Sequence, residues 1–283
     1  MGSTASAPTA PAPQQVADLT RVPPRARNDW PRFGIVVTAV VTTATVYAWI
    51  FNLQMHGRSA AALDMPEMGM TDVGRYWAFP MLEASGLVGL AFAYVSVLLG
   101  LQPSVRWRPA THRQVNRAHR QVALVVVGLV LVHVAATVLD GMGNTWQTVL
   151  IPGYVGTQGW PAAVWGFNSG IFAVYALLLL GPTFYLRRWI GVRRWRFLHQ
   201  FVVVFYGLSI WHALALGLDV SYYGWIRPTI WLAQVPLLAL VIARTRRAPR
   251  SPVRHLIVTA CCVGIAAMVA IVATGSSGFI HTV

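Results

Sequence analysis

Seven stretches of consecutive apolar residues follow one another along the chain, separated by short polar segments. A membrane-spanning helix needs about 20 such residues, and six of the stretches come close to this length while the sixth in order is slightly short. Only helices and closed barrels satisfy their backbone hydrogen bonds within lipid, and continuous apolar runs are typical of helices. We therefore predict an all-α polytopic membrane helical bundle of about seven transmembrane helices, over Phe33–Phe51, Trp77–Leu101, Val122–Leu139, Trp165–Leu186, Phe201–Leu218, Pro228–Ala243 and Leu256–Thr274.

The polar ends of the chain flank this predicted bundle. Residues 1–32 are rich in Ala, Pro, Ser and Thr and lack apolar periodicity, so we expect a disordered tail there. The transmembrane domain is expected at 33–275, followed by a short tail at 276–283. Because the first apolar run begins after a long polar segment, we do not expect a signal peptide.

Composition separates this chain from soluble proteins. Of its 283 residues, 56% are hydrophobic and only 11% are charged, whereas about a quarter of the residues in a soluble domain are charged. The net charge is nevertheless +14, because 22 basic residues face 8 acidic ones. A strongly basic chain would ordinarily suggest a nucleic-acid or anionic-surface ligand.

The distribution of arginines gives this charge a topological explanation. Nineteen of them lie in the N-terminal tail or in segments 102–121, 187–200 and 244–255, all on one side of the predicted membrane. That side carries +17 and the other −3. The positive-inside rule then places the N-terminus inside and, with seven helices, the C-terminus outside. The arginines are dispersed over several loops, so we do not expect nucleic-acid binding. All basic residues are Arg, which suggests a GC-rich bacterial genome, and we expect a bacterial cytoplasmic membrane.

Four histidines in the third and fifth apolar runs are the main candidates for chemistry, since ionisable groups at membrane depth are costly. His119 and His133 are fourteen residues apart, and His199 and His212 are thirteen apart. At 1.5 Å per residue these separations correspond to rises of roughly 21 and 19.5 Å. Each helix thus presents one imidazole near each leaflet. Both runs travel from inside to outside, which pairs His119 with His199 on the inner side and His133 with His212 on the outer side.

Neutral imidazole is an axial ligand of haem iron. The two pairs therefore predict two haems, each held by two histidines and stacked across the membrane. Fourteen helical steps return to within roughly 40° of the starting direction, but thirteen leave an offset of roughly 140°. We therefore expect a local irregularity near Gly207, or tilted haem planes. One haem, or histidines that only pack and form hydrogen bonds, are the alternatives.

The motifs around these histidines resemble a known family. The chain reads HR-x12-H at His119–His133 and RRWRFLH-x12-H at Arg193–His212, with LIPGYVGTQGWPAAVWG between them. From about Glu83 to Ala243 it is similar to the ferric reductase-like transmembrane domain shared by ferric reductases and NADPH oxidases. The fourteen-then-thirteen spacing resembles the oxidase branch.

The resemblance implies a six-helix core at about 77–243 that holds two b-type haems, with electrons passing from the inner haem to the outer one. A seventh helix follows. Phe205 occupies the position where the family's oxidases place an aromatic between the haems, although packing is an equal alternative. We find no G-x-G-x-x-G nucleotide fingerprint, so we expect flavin chemistry only through a partner.

Two further groups of residues have open roles. Arg120 and Arg196, with Arg113 and Arg117, are expected near the inner haem and are candidates for its propionates. Topology with lipid contact, or docking of a cytosolic flavoprotein, are the alternatives. The outer loop after the first run is rich in Met and contains His56, residue types that suit copper, but its spacing is irregular and it is also explained as a cover over the helix ends.

We therefore predict a diheme b-type cytochrome, the membrane electron-transfer subunit of an oxidoreductase. An inner flavoprotein or quinol would be the donor, and ferric iron or a periplasmic or extracellular redox partner would be the outer acceptor. The second version resembles the haem subunit of the bacterial methionine-sulfoxide reductase system. The alternatives are a single-haem or haem-free subunit acting as a scaffold for a separate redox enzyme, and a quinol-oxidising cytochrome b.

Overall fold

The computed structural model describes residues 30–101, 109–154, 161–246 and 252–273. The predicted N-terminal tail, apart from its last three residues, and the predicted tail at 276–283 lie outside the described residues. Every regular element within the described ranges is helical. In chain order the α-helices are α1 Trp30–Met55, α2 Ala60–Asp64, α3 Val73–Tyr76, α4 Phe79–Leu101, α5 Pro109–Leu139, α6 Trp146–Leu150, α7 Pro161–Leu180, α8 Thr183–Ile190, α9 Val192–Gln200, α10 Val202–Leu216, α11 Leu218–Tyr222, α12 Ile226–Thr245 and α13 Pro252–Ala273, with a 3₁₀ turn at Pro66–Met68.

Several of these helices are long and apolar enough to cross a membrane, which confirms the all-α polytopic bundle. Five stretches within the described residues qualify, and a sixth is formed if α7 and α8, which meet at 45°, count as one span. A shorter apolar helix lies at His255–Ala270. The exact number of seven stays a prediction. The five stretches are Phe33–Asp64, Phe79–Leu101, His112–Leu139, Val192–Leu216 and Ile226–Thr245.

Two helix pairs form the centre of the bundle. Helix α4 packs along α5, and α7 packs along α10, while α10 also contacts α4. The central core contains small residues beside large ones. Its buried members are Ala93, Val126, Ala173, Phe205, Tyr206 and Leu237, the last of them from α12. Large apolar side chains such as Val40 and Leu179 are exposed on the outside of the bundle. A water-soluble protein rarely exposes so much apolar surface, whereas lipid would cover it.

The loop after α1 folds into short helices over one end of the bundle. Ser59 caps α2 and Asp72 caps α3 by accepting hydrogen bonds from backbone N–H groups. Met70 and Tyr76 are buried in a small core there, with Met65 packed against it. The methionines of this loop thus include core residues, and the part of the chain that the structure describes contains no group of three or more His, Cys, Asp or Glu side chains that could hold a metal.

One break interrupts a helix that the apolar pattern predicted as continuous, and a second lies at the start of another predicted run. Helix α7 ends at Leu180, and Pro182, which has no N–H to donate, separates it from α8. The second break lies between α9 and α10, where the N–H of Phe201 donates to the carbonyl of Leu198, three residues back, at 3.0 Å. The carbonyl of Phe201 accepts from Val204, also three residues away.

The position of the predicted irregularity near Gly207 was therefore wrong. Gly207 lies inside the regular helix α10, and the irregularity occurs six residues earlier, at Phe201. A turn with three-residue hydrogen bonds winds more tightly, by about 20° per residue, than an α-helix. The tighter winding reduces the angular offset between His199 and His212 that an unbroken helix would impose.

Candidate functional site

Helix α5 carries His119 and His133, and it faces α9 and α10, which carry His199 and His212. The structure brings the four imidazoles together as two pairs. The ring centroids of His119 and His199 are 6.0 Å apart with the planes at 84°. Those of His133 and His212 are also 6.0 Å apart, with the planes at 89°. The pairing is the one expected from the direction of the helices.

Each ring of the outer pair is held by a backbone carbonyl of a neighbouring helix. Nδ1 of His133 lies 2.9 Å from the carbonyl oxygen of Leu82 on α4. Nδ1 of His212 lies 2.9 Å from the carbonyl oxygen of Gly166 on α7. A carbonyl oxygen only accepts hydrogen bonds, so Nδ1 must be the donor. The unprotonated Nε2 of each ring then has its lone pair available for a metal.

The inner pair is held differently on its two sides. Nδ1 of His119 donates to the carbonyl oxygen of Ser96 at 2.9 Å, in the same manner as the outer rings. His199 instead stacks on Trp195 of its own helix, with ring centroids 5.3 Å apart and planes at 24°. On α7, the carbonyl at the depth of His199 would lie about thirteen or fourteen residues after Gly166. That position is the end of α7, where the helix breaks. The helix break thus explains why an aromatic ring supports His199.

Glycines lie beside the three carbonyl-bound rings. A Cβ added to Gly170 would lie 2.6 Å from Nδ1 of His212, and one on Gly86 would lie 3.1 Å from His133. A Cβ on Gly100 would lie 3.4 Å from Cε1 of His119. Each of these glycines comes four residues after the residue whose carbonyl accepts the bond, one helical turn along the same face. The rings therefore rest directly on helix backbone, in cradles that a side chain would fill.

The spaces between the paired rings fit a metal with axial imidazoles. Two metal–imidazole bonds of about 2 Å each cover much of the 6.0 Å between the ring centroids. The distances from each centroid to its own Nε2 atom make up the remainder. The outer pair opens into a cavity of about 420 Å³ whose walls are mainly apolar and include Phe205. A pocket of this size and character is typical of cofactor sites. These observations fit a haem at the outer pair, and the ring separation at the inner pair is the same.

The other predicted site residues lie at several places. Phe205 is buried in the central core and lines the outer cavity. The guanidinium of Arg120 lies 5.7 Å from the centroid of the Phe184 ring. Arg196 is exposed and lines a shallow surface cavity with Arg193. The roles of these three residues toward haem stay predictions.

Sequence reasoning missed the carbonyl acceptors, the glycine cradles and Trp195. One signal was present, because Gly86 and Gly100 are fourteen residues apart, the same separation as His119 and His133. In two antiparallel helices, equal separations place both glycines opposite both histidines. The sequence pattern also assigned no role to Glu83 and Asp219, although both line the outer cavity.

Comparison with known proteins agrees with this architecture. Residues 85–210 match the family model described as "Ferric reductase like transmembrane component". Neither the curated proteins nor the solved structures gave a match. The matched segment includes α5, α7 and most of α4 and α10, with all of the paired histidines except His212. This match is consistent with the ferric reductase-like transmembrane family that the sequence motifs resemble.

Proposed function

We propose that this protein is a diheme b-type cytochrome in which His119 and His199 hold an inner haem and His133 and His212 hold an outer haem. The observation that supports it is the arrangement of the two pairs: three of the four rings donate Nδ1–H to a backbone carbonyl, and the separation of the rings is the same in both pairs. Haem iron, when bound, supplies one-electron chemistry. The chain's own residues fix the tautomer, the orientation and the apolar surroundings of the ligands.

The direction of transfer follows from topology. With the N-terminus inside, an inner donor, either a separate flavoprotein or a quinol, would deliver electrons at the His119–His199 pair. The His133–His212 pair would pass them to an outer acceptor such as ferric iron or a periplasmic or extracellular redox partner. The protein would then serve as the membrane electron-transfer subunit of an oxidoreductase in the bacterial cytoplasmic membrane.

Haem stoichiometry and reduced-minus-oxidised spectra of the wild type and four His→Ala variants test this proposal. We expect two haems per wild-type chain and one in each variant. His119→Ala and His199→Ala should lose the same spectral component, and His133→Ala and His212→Ala should lose the other. His112→Ala is the matched control, because His112 is exposed on α5 and bonds to Asn116 one turn away. One haem in the wild type, or the same component lost from variants of both pairs, would contradict the assignment.

A further inference from the structure

Helices α8 and α9, residues 183–200, form an elbow at the end of the bundle that carries the His119–His199 pair. Helix α7 before it has 20 residues and rises about 30 Å, which is about the thickness of the hydrocarbon core of a bilayer. After α7 the chain bends by 45° into α8, and at Gly191, with a φ of +84°, it turns again into α9. Because α7 alone is long enough to span the core, its length places the elbow at the level of the lipid headgroups.

The elbow carries five arginines and no acidic residue, namely Arg187, Arg188, Arg193, Arg194 and Arg196. The acidic residues that the structure describes lie at the other end of the bundle. Glu83, Asp140 and Asp219 line the outer cavity, and the other three lie in the loop after α1, whose Met65 also lines that cavity. Within the described part of the chain, no carboxylate is therefore placed to neutralise the elbow, and a matching anion must come from another molecule.

Aromatic side chains are exposed beside these arginines. Tyr185 of α8 exposes 66% of its surface, and Phe197 of α9 exposes 61%. Helices that combine arginines with exposed aromatic rings are typical of membrane surfaces, where the rings enter the boundary between headgroups and acyl chains and the guanidinium groups stay at the phosphates. A lipid surface thus satisfies both kinds of side chain at the level where the elbow lies. An acidic protein would supply the negative charge but not the acyl chains, so the observations favour lipid.

An open surface cavity of about 570 Å³ lies on α9, away from the outer cavity. Its lining residues follow one side of the helix, and they are Val192, Arg193, Arg196, Phe197 and Gln200. Two guanidinium groups one turn apart can donate parallel hydrogen bonds to the oxygens of a single phosphate, and the amide of Gln200 adds a further donor. Val192 and Phe197 offer apolar surface beside them. The lining therefore suits a group that joins a phosphate to an apolar chain.

We propose that the α8–α9 elbow binds the headgroups of anionic phospholipids, with a lipid phosphate held in the cavity by Arg193 and Arg196. Clusters of four to eight basic residues beside a membrane-spanning helix typically bind such lipids. The elbow fits this description, because it carries five arginines and lies between the long apolar helix α7 and helix α10. The binding requires no haem, so its test is independent of the proposed function.

Native mass spectrometry of the full chain in mixed micelles of phosphatidylglycerol and phosphatidylcholine measures the preference for anionic lipid. We expect the wild type to retain phosphatidylglycerol selectively. The double variant Arg188→Gln/Arg193→Gln should lower this preference about 30-fold, which corresponds to about 1 kcal/mol for each charge, whereas Arg188→Lys/Arg193→Lys should keep most of it. The matched control is Arg58→Gln/Arg75→Gln, which removes two exposed arginines from the other end of the bundle and should keep the wild-type preference.

A nitroxide label on the elbow supplies a second readout with all five arginines in place. In a background with Cys261→Ala and Cys262→Ala, Phe197→Cys is labelled and the chain is reconstituted into vesicles of phosphatidylglycerol and phosphatidylcholine. We expect this label to lie about 5–10 Å below the lipid phosphates, where oxygen reaches it more readily than a water-soluble nickel chelate. A label at Glu67→Cys, an exposed position of the loop after α1, should favour the nickel chelate.

Three results would overturn the proposal. They are equal retention of the two lipids by the wild type, an equal loss of preference in the elbow variant and in the control variant, and a label at position 197 that the nickel chelate reaches as readily as the label at position 67. If the wild type shows no lipid preference but binds polyglutamate in phosphatidylcholine micelles, and the elbow variant does not, the occupant is an acidic protein and the proposal is also overturned.

Discussion

The glycines that face the histidine rings decide how closely the helices of this bundle approach one another. At Gly170 the imidazole of His212 occupies the volume where any other residue would place its Cβ, 2.6 Å from Nδ1. At Gly207, on the same helix as His212, no atom lies within 4 Å of an added Cβ. The first glycine is therefore required by a contact, whereas the second is not.

The substitution Gly170→Ala should therefore disturb the outer haem alone. The methyl group must displace His212 or push α7 from α10, and either movement breaks the bond from Nδ1 to the Gly166 carbonyl. We expect loss of the outer spectral component or a changed potential for it, with the inner component intact, as measured by redox titration. Gly207→Ala is the control, and it should keep both haems and stabilise the helix by up to about 1 kcal/mol. Unchanged outer-haem spectra and potential in Gly170→Ala would show that the cradle is not needed.

Asp219 predicts a pH dependence of stability. Its pKa in the folded protein is raised from 3.8 to about 6 by burial, so folding favours the protonated form. A raised pKa contributes stability that is complete below the unfolded value and is lost as the pH rises through the folded value. We expect the melting temperature in detergent to fall between about pH 4 and pH 6, and Asp219→Asn to reduce that fall. Asp64→Asn should leave it as it is, and an equal pH dependence in both variants would contradict the interpretation.

At the scale of elements, the two sides of the inner site depend on different helices. His119 is oriented by a carbonyl of α4, whereas His199 is oriented by Trp195 within the short helix α9. Helix α9 is set off from α10 by the break at Phe201. Because the helix is not continuous here, the angle between α9 and α10 depends mainly on local side-chain contacts. One of these contacts joins Trp195 to Phe184 of α8.

Removal of the Trp195 ring should affect the inner haem selectively. In Trp195→Leu the imidazole of His199 loses its stacking partner, so we expect a broader electron paramagnetic resonance signal and a shifted midpoint potential for the inner haem. The outer component should keep its wild-type potential. Trp189→Leu is the matched control, because Trp189 on α8 is 89% exposed. A shift of both haems, or of neither, would show that the stacking does not position His199.

The apolar pattern predicted the spanning character of the helices and the expected pairing of the histidines because both depend on periodicity and rise along a helix. It did not predict the breaks at Pro182 and Phe201, since each lies within or beside a run whose hydrophobicity continues across it. The supports of the rings were also missed. Leu82 and Gly166 contribute carbonyl oxygens, which every residue possesses, so their role arises only when two helices are packed.

At the scale of the whole molecule, the arginines and the histidine pairs define the same axis. In the predicted topology, the side that carries +17 is the side of the His119–His199 pair, and Glu83 and Asp219 line the cavity of the His133–His212 pair at the opposite end. Arginines suit anionic headgroups or an acidic donor on the inner side. This predicted polarity is the one that the proposed directional electron transfer requires.

Cysteine labelling tests this polarity directly. In a background with Cys261→Ala and Cys262→Ala, single cysteines are placed at Leu63 on the predicted outer side and at Gln114 on the predicted inner side, both exposed. A membrane-impermeant maleimide should label Leu63→Cys in intact spheroplasts and label Gln114→Cys only after permeabilisation, because the two positions lie on opposite faces. The reverse pattern would place the His133–His212 pair on the cytoplasmic side. Electrons would then leave the His133–His212 pair toward the cytoplasm, so labelling also decides the direction of the proposed transfer.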